Sequence, residues 1–191
     1  YWDVINAHHG LQGGFIWDFK DQGLWEEKEG KRYLAYGGDY GPEGTPSDHN
    51  FLNNGLVMAD GTPHPHMLEA KQVQQPLQFG LGHPTGSKLR MESEYRFREV
   101  VVDIAWTVMA DGRAVDQGTL PAVTVRPLTS SVLDLPVKDR DFGNAEVVLN
   151  IEATLTQADP LLPAGHVLAQ YQHILNPGTP SPPPAKQGRV S

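Results

Sequence analysis

The sequence predicts an α/β portion followed by an all-β, immunoglobulin-like sandwich, and three observations carry that prediction. A helix-type pattern, a short loop and the apolar run Phe15-Ile16-Trp17 stand in succession near the start, as in half of a β/α unit. From about residue 77 the hydrophobic period changes from 3.6 to 2. Alternating runs then recur, and one of them closes at Asp111-Gly112, a strong hairpin signal.

Residues 1–7 read as the last turns of a helix, with Trp2, Val4 and Ile5 in an amphipathic pattern. Its stop is expected near His8-His9-Gly10, where a glycine can take the left-handed conformation. Phe15, Ile16 and Trp17 are apolar at consecutive positions, as in a parallel strand buried on both faces. Residues 20–62 carry many Gly, Asp and Asn with little periodicity. That length is uncommon for a structureless loop and points to function. Pro65 then opens a helix through HMLEAKQVQQ, expected to turn Met67, Leu68 and Val73 inward and to end before Pro76.

In KLRMESEYRFR, Leu89, Met91, Tyr95 and Phe97 share one face, and Lys88, Arg90, Glu92, Glu94, Arg96 and Arg98 share the other. The next run puts Val102, Ile104, Trp106 and Val108 inward, and EVVLNIEATL does so with Val147, Leu149, Ile151, Ala153 and Leu155. Short strands near 79, 115, 123 and 133, with another at 167–175, bring the count to about the seven of an immunoglobulin-like sandwich. The end, NPGTPSPPPAKQGRVS, is too rich in proline to build a core and reads as a linker or tail. The division predicted is 1–75, 76–175 and 176–191.

Composition narrows the function. The chain has 191 residues, 39% of them hydrophobic, and a formal charge of −8. No segment gathers Lys and Arg into the stripe that a phosphate backbone requires, so nucleic acid is not an expected partner. Without cysteine there is neither a disulfide nor a thiolate metal site, which suits a reducing compartment, and the expected location is cytoplasmic. No apolar run approaches the roughly 18 residues of a membrane span. The chain opens on Tyr1-Trp2-Asp3, inside a helical pattern with no start signal, and is expected to be a piece of a longer polypeptide.

The first portion offers one chemical arrangement: a strand ending on Trp17-Asp18, followed by a long loop. In β/α barrels that end of the strands carries the chemistry. An indole is a flat apolar plate with one donor, suited to the apolar face of a sugar, although a core tryptophan has the same spacing. Asp18 and Asp21 are expected to hold loop backbone, and Glu26, Glu27 and Glu29 to form an exposed charged run. His64 and His66 flank Pro65 and could ligate a transition metal, or else hydrogen-bond within a loop, as His8 and His9 would in their turn.

LQGGFIWDFKDQGLW, AYGGDYG, TPSDHNFLNNGLVMADGTPHPHMLEAKQVQQ and SEYRFR, in that order, resemble the large bacterial β-galactosidases of glycoside hydrolase family 2. The likeness runs over roughly residues 1–175. It implies that residues 1–75 are the C-terminal part of a catalytic (β/α)8 TIM barrel, with 14–18 as the eighth strand, and that the sandwich is the domain that follows. It further implies retaining hydrolysis of terminal β-galactosides such as lactose, by two glutamates on earlier strands that are not in this chain. On the same grounds Trp17 is the platform for galactose. The Phe51 carbonyl and the Asn54 side chain serve a sodium ion that contacts the sugar, so Asn54 is both a metal and a substrate residue. Magnesium belongs to the family as well, but Ser47 departs from the best-known members at a position near a secondary magnesium site, and no magnesium ligand is assigned here. Asp48 also matches the pattern, as a loop-ordering residue. The full enzyme is expected to be a homo-oligomer. Two other readings stand beside this one: a non-catalytic spacer or carbohydrate-binding module, and a β-glucuronidase or β-mannosidase relative of the same architecture.

Overall fold

The computed structural model describes residues 1–49, 51–83, 87–138 and 140–179. Two units divide the chain, Tyr1–Gln74 and Gln75–Ser191.

The first unit opens with α1 (Trp2–Ala7), whose Ile5 N–H donates to Tyr1 O. Its end differs in detail from expectation. The C-cap is His8 in extended backbone, with no left-handed glycine at Gly10, and the His8 N–H closes the last turn onto Ile5 O. Residues 14–17 carry no strand pairing, so the buried strand expected over 14–18 does not form there, and Trp17 is 78% exposed. An apolar run becomes a strand only where neighbouring backbone takes up its N–H and C=O groups, and here that begins at Asp18. Residues 18–21 run parallel to 54–57: Asp18 N–H donates to Asn54 O, Leu56 N–H to Asp18 O, Val57 N–H to Phe19 O and Asp21 N–H to Val57 O. Val57 and Ala35 are the buried apolar residues of this unit.

The stretch 20–62 is more ordered than its composition suggested. It contains the hairpin of β1 (Leu24–Lys28) and β2 (Lys31–Ala35), turned by Glu29 and Gly30 with φ of 53° and 72°. Two consecutive positive φ values match the twist of a two-residue hairpin, and glycine takes the second at no steric cost. Arg32 lies over the Trp25 ring, 4.3 Å from its centroid, on the diagonal of the hairpin. A short 3-10 turn follows at Gly37–Asp39, where the Tyr36 N–H donates to Asp39 Oδ2. Helix α2 (Pro65–Val73) starts with Pro65 in its first turn, as the sequence indicated, because that N–H would have no helical partner. Met67 and Val73 are only half-buried, and Leu68, expected inward, is 67% exposed.

The second unit is a pair of antiparallel sheets. Strands β3 (Leu77–Leu81), β4 (Lys88–Ser93) and β7 (Ser130–Asp134) form one in the order β3-β4-β7. Strands β5 (Val100–Ala110), β6 (Arg113–Val125), β8 (Glu146–Leu155) and β9 (Val167–Pro177) form the other in the order β6-β5-β8-β9. The two sheets share one core, as in a β-sandwich, and the fourth strand of the unit, β6, pairs with the third, β5. The segments expected as separate strands near 115 and 123 are one strand, β6, bent by an irregularity of register opposite Val102 and Ile104. The predicted alternation holds in β5 and β8, whose Val102, Ile104, Trp106, Val108, Val147, Leu149, Ile151, Ala153 and Leu155 are all buried. In KLRMESEYRFR it holds only to Ser93: the strand stops there, Tyr95 is half-buried and Phe97 is 97% exposed. Strand β9 takes in Asn176 and Pro177 of the tail expected at 176–191, and residues 180–191 are outside the described residues.

Two features tie this unit together. Gln75 is buried, and its amide bonds to both backbone groups of Gln170 on β9, Nε2 donating to O at 3.1 Å and Oε1 accepting from N at 2.9 Å. One side chain thus does for β9 what one residue of a neighbouring strand would do. Gln75→Ala is expected to cost about 2 kcal/mol in urea unfolding, since two bonds vanish in a dry place.

Arg98 donates to Asp159 Oδ2 at 2.7 Å and lies 5.1 Å from the Tyr95 ring centroid. The Leu161 and Leu162 amides donate to Asp159 Oδ1. Those amides, followed by Arg98, hold the Asp159 carboxyl below its ordinary value. A carboxyl with a depressed folded pKa stabilises the fold above its unfolded value, and the contribution is lost as pH falls through the folded one. The wild type is therefore expected to exceed Asp159→Asn in stability at neutral pH. The two should converge in acid below the ordinary carboxylate range, as read by thermal melts across pH.

Candidate functional site

The expected site residues lie in the first unit, Asn54 on one of the two parallel segments and Trp17 and Phe51 just outside them. Trp17 immediately precedes the ladder and presents its indole to solvent, and the Trp17–Asp18 peptide bond is cis. Asn54 starts the opposite segment, its carbonyl accepting the Asp18 N–H at 3.1 Å. The ladder therefore sets Trp17-Asp18 beside Asn54 by backbone register.

Phe51 is exposed and sits in a turn where its N–H donates to Asp48 O at 2.9 Å. The Ser47 hydroxyl accepts the His49 N–H at 3.3 Å, so both residues order this turn. Asn53 has a φ of 58°, a left-handed conformation that asparagine tolerates better than most. Gly55 has no room for a side chain: a Cβ there would lie 2.3 Å from the Asp21 nitrogen and 2.4 Å from the Lys20 carbonyl carbon.

Side chains reinforce the ladder. Gln22 Nε2 donates to Asn54 Oδ1 at 3.0 Å and to Asp18 Oδ2 at 3.2 Å, while its Oε1 accepts the Asn53 N–H at 3.0 Å. Asp21 Oδ1 accepts the Gly55 N–H at 2.8 Å, and Oδ2 lies 2.8 Å from His64 Nε2. His66 Nε2 bonds to Gly55 O at 2.7 Å, and the two imidazoles stack with centroids 5.1 Å apart. Asp18 and Asp21 thus do hold loop backbone, and His64 and His66, at the start of α2, bond to Asp21 and Gly55. Among the described residues no group of three or more His, Cys, Asp or Glu is placed to hold a metal ion.

Sequence reasoning missed Gln22, because a lone glutamine after an acidic pair carries no spacing signal. It also left Glu26 in an undifferentiated charged run, whereas Glu26 Oε1 accepts the Tyr40 hydroxyl at 2.9 Å. Partial burial, and then this carboxylate, push the Tyr40 phenol above its ordinary value.

Two family profiles match consecutive parts of the chain. Residues 1–79 match "Glycosyl hydrolases family 2, TIM barrel domain", and residues 89–176 match "Beta-galactosidase, domain 4". The chain belongs to glycoside hydrolase family 2. Relatives named as β-galactosidases align along nearly all of it. "Beta-galactosidase 2" of Enterobacter cloacae is 37% identical over 190 residues, covering 98% of this chain and 18% of that protein. "Beta-galactosidase" of Vibrio cholerae serotype O1 is 38% identical over 179 residues, covering 93% of this chain and 17% of that protein. "Beta-galactosidase" of Aeromonas hydrophila is 38% identical over 178 residues, covering 92% and 17%. The family 2 chain thus spans under a fifth of the length of the curated relatives it matches. The boundary between the two profiles falls at residues 79–89, within β3, β4 and the segment joining them.

Proposed function

We propose that this chain forms the C-terminal part of the catalytic TIM barrel and the following sandwich of a β-galactosidase. That enzyme hydrolyses terminal β-galactosides with retention. The observation that carries the reading is the alignment with β-galactosidases across 98% of the chain. Retention requires two carboxyl groups roughly 5 to 5.5 Å apart, one attacking the anomeric carbon and one protonating the leaving oxygen. The acids of this site do other work: Asp18 and Asp21 hold backbone amides, and Glu26 takes the Tyr40 hydroxyl. Both catalytic glutamates are assigned to polypeptide outside these residues.

In this reading Trp17 supplies an apolar plate to the galactose ring, which fits an indole left open to solvent just before the ladder. Phe51 and Asn54 would hold sodium. Their donors are a carbonyl and an amide oxygen, neutral and hard, and Asn54 Oδ1 keeps a second lone pair beyond the one facing Gln22. Bound sodium supplies a fixed positive charge for a sugar hydroxyl. The work of this chain is to present those two oxygens beside the indole. The expectations of a cytoplasmic homo-oligomer and of magnesium ligated elsewhere belong to the same proposal. No helix among the described residues is long and apolar enough to cross a membrane.

The 191-residue chain alone is expected to give no turnover of a nitrophenyl β-galactoside; turnover above blank would overturn the assignment of both acids to other residues. In the full-length polypeptide, Trp17→Ala is expected to cost about 2 kcal/mol of sugar binding, roughly 30-fold in kcat/KM. An unchanged kcat/KM would return Trp17 to a purely structural role.

One observation favours the alternative of a non-catalytic module. Apart from Ala35 and Val57, all the buried apolar residues among the described residues lie in the sandwich, which has a core of its own. Titration of the chain with galactose separates the readings: saturable binding lost in Trp17→Ala supports a sugar site, and binding that survives Trp17→Ala supports a carbohydrate module in the sandwich.

A further inference from the structure

Asn54 stands in irregular backbone, between a residue at positive φ and a glycine pressed onto the opposite segment. The four backbone bonds between 18–21 and 54–57 already pair the two segments. They place the Asn54 carbonyl, but they do nothing to orient its side chain, which retains free rotation about two bonds.

The bonds made by Asp21 and Gln22 fall on three consecutive residues around that side chain. Gln22 Oε1 accepts the Asn53 N–H, Gln22 Nε2 donates to Asn54 Oδ1, and Asp21 Oδ1 accepts the Gly55 N–H. The Gln22 amide is used at both ends, and its orientation is forced. Reversing it would face an oxygen toward Asn54 Oδ1 and Asp18 Oδ2 and an NH2 toward the Asn53 N–H. Asp21 is braced from behind by His64, and the Gly55 carbonyl by His66, so the Gly55 peptide is gripped at both polar atoms. A surface glutamine ordinarily bonds to water; this one closes a circuit whose product is one direction for the Asn54 oxygen.

We propose that Gln22, backed by Asp21, is the positioning residue that aims the Asn54 amide oxygen and thereby sets affinity for the cation and sugar that Asn54 serves. The inference rests on the sodium and galactose reading of Asn54 given above. Gln22 touches neither ligand in this scheme and acts only through Asn54.

The test is a double-mutant cycle in the full-length polypeptide, with Gln22→Met, Asn54→Ala and the pair. Gln22→Met keeps the length of the side chain and removes its donors and acceptor. The readouts are broadening of the sodium-23 resonance on titration with NaCl, the KM and kcat for a nitrophenyl β-galactoside, and the melting temperature. Gln22→Met is expected to raise the sodium half-saturation and the galactoside KM about tenfold. Its kcat should stay within about threefold and its melting temperature unchanged, because the residue is exposed. On the Asn54→Ala background Gln22→Met is expected to add nothing. A Gln22→Met effect of the same size on both backgrounds overturns the proposal, as does a KM and sodium response equal to wild type in Gln22→Met when Asn54→Ala is impaired. If Asn54→Ala itself leaves both sodium broadening and KM at wild-type values, the reading of the site falls, and the positioning role falls with it.

Discussion

Gly55→Ala is expected to separate the two segments that carry the candidate site and to cost the first unit about 3 kcal/mol or more. The reason is purely steric. Gly55 is not at positive φ, so alanine suffers no backbone penalty of its own. The added methyl would lie 2.3 Å from the Asp21 nitrogen, 2.4 Å from the Lys20 carbonyl carbon and 2.8 Å from the Lys20 Cα, all of them backbone atoms that no rotamer change can move. Room comes only from moving 54–57 off 18–21, which breaks the bonds from Asp18, Asp21, Leu56 and Val57 together with the Asp21 grip on Gly55. Gly10→Ala is the control. Nothing lies within 4 Å of its added Cβ and its φ is ordinary, so it should be neutral or stabilise by about 0.5 kcal/mol. Amide hydrogen exchange reads the difference: Gly55→Ala should lose protection at Asp21, Leu56 and Val57 and leave β5 and β8 as they were. Retained protection at Leu56 and Val57 would mean that the segments do not approach as closely as described.

The same contact explains what could and could not be read beforehand. Gly55 looked like one of many glycines in a loop-like stretch; its demand comes from backbone 34 residues away, which no local pattern encodes. Trp17 was expected on a buried strand because three apolar residues in a row ordinarily mean burial on both faces. Here the chain around 14–17 has no paired neighbour, and the ladder starts one residue later. The hairpin of β1 and β2 was hidden by LWEEKEGKRYLA, whose charges mask the alternation and whose turn is Glu-Gly rather than Asn-Gly. Phe97 was placed inward by parity alone, and parity fails once the strand ends at Ser93. In contrast, β5 and β8 were legible, since β8 buries every second residue along its whole length and β5 does so as far as Val108, and Asp111-Gly112 adopts the positive φ values that a tight turn needs. At the site, the backbone role of Asp18 and Asp21 was legible from turn chemistry. Gln22 was not, because a glutamine shows its role only through the three groups it happens to reach.

Leu149→Ala is expected to cost the sandwich about 2 to 5 kcal/mol, a large part of the 5 to 15 kcal/mol typical of such a unit. Leu149 has no exposed surface and sits near the middle of β8, in register with Val108 on β5 and His173 on β9. Strand β8 is interior to its sheet, so both neighbours are fixed by ladders and neither backbone can close in on the space left by three carbons. The cost should therefore fall toward the upper half of the range, where a site cannot collapse. Leu161→Ala gives the contrast: the side chain is 85% exposed, and its loss should stay within about 0.5 kcal/mol. Urea unfolding distinguishes a cavity from a general loosening. A cavity in an intact sandwich lowers the midpoint at constant m, whereas a fall in m would mean that the variant's native state has already given up buried surface. A cost near that of Leu161→Ala would show that the inner face of the four-stranded sheet is not sealed by the three-stranded one.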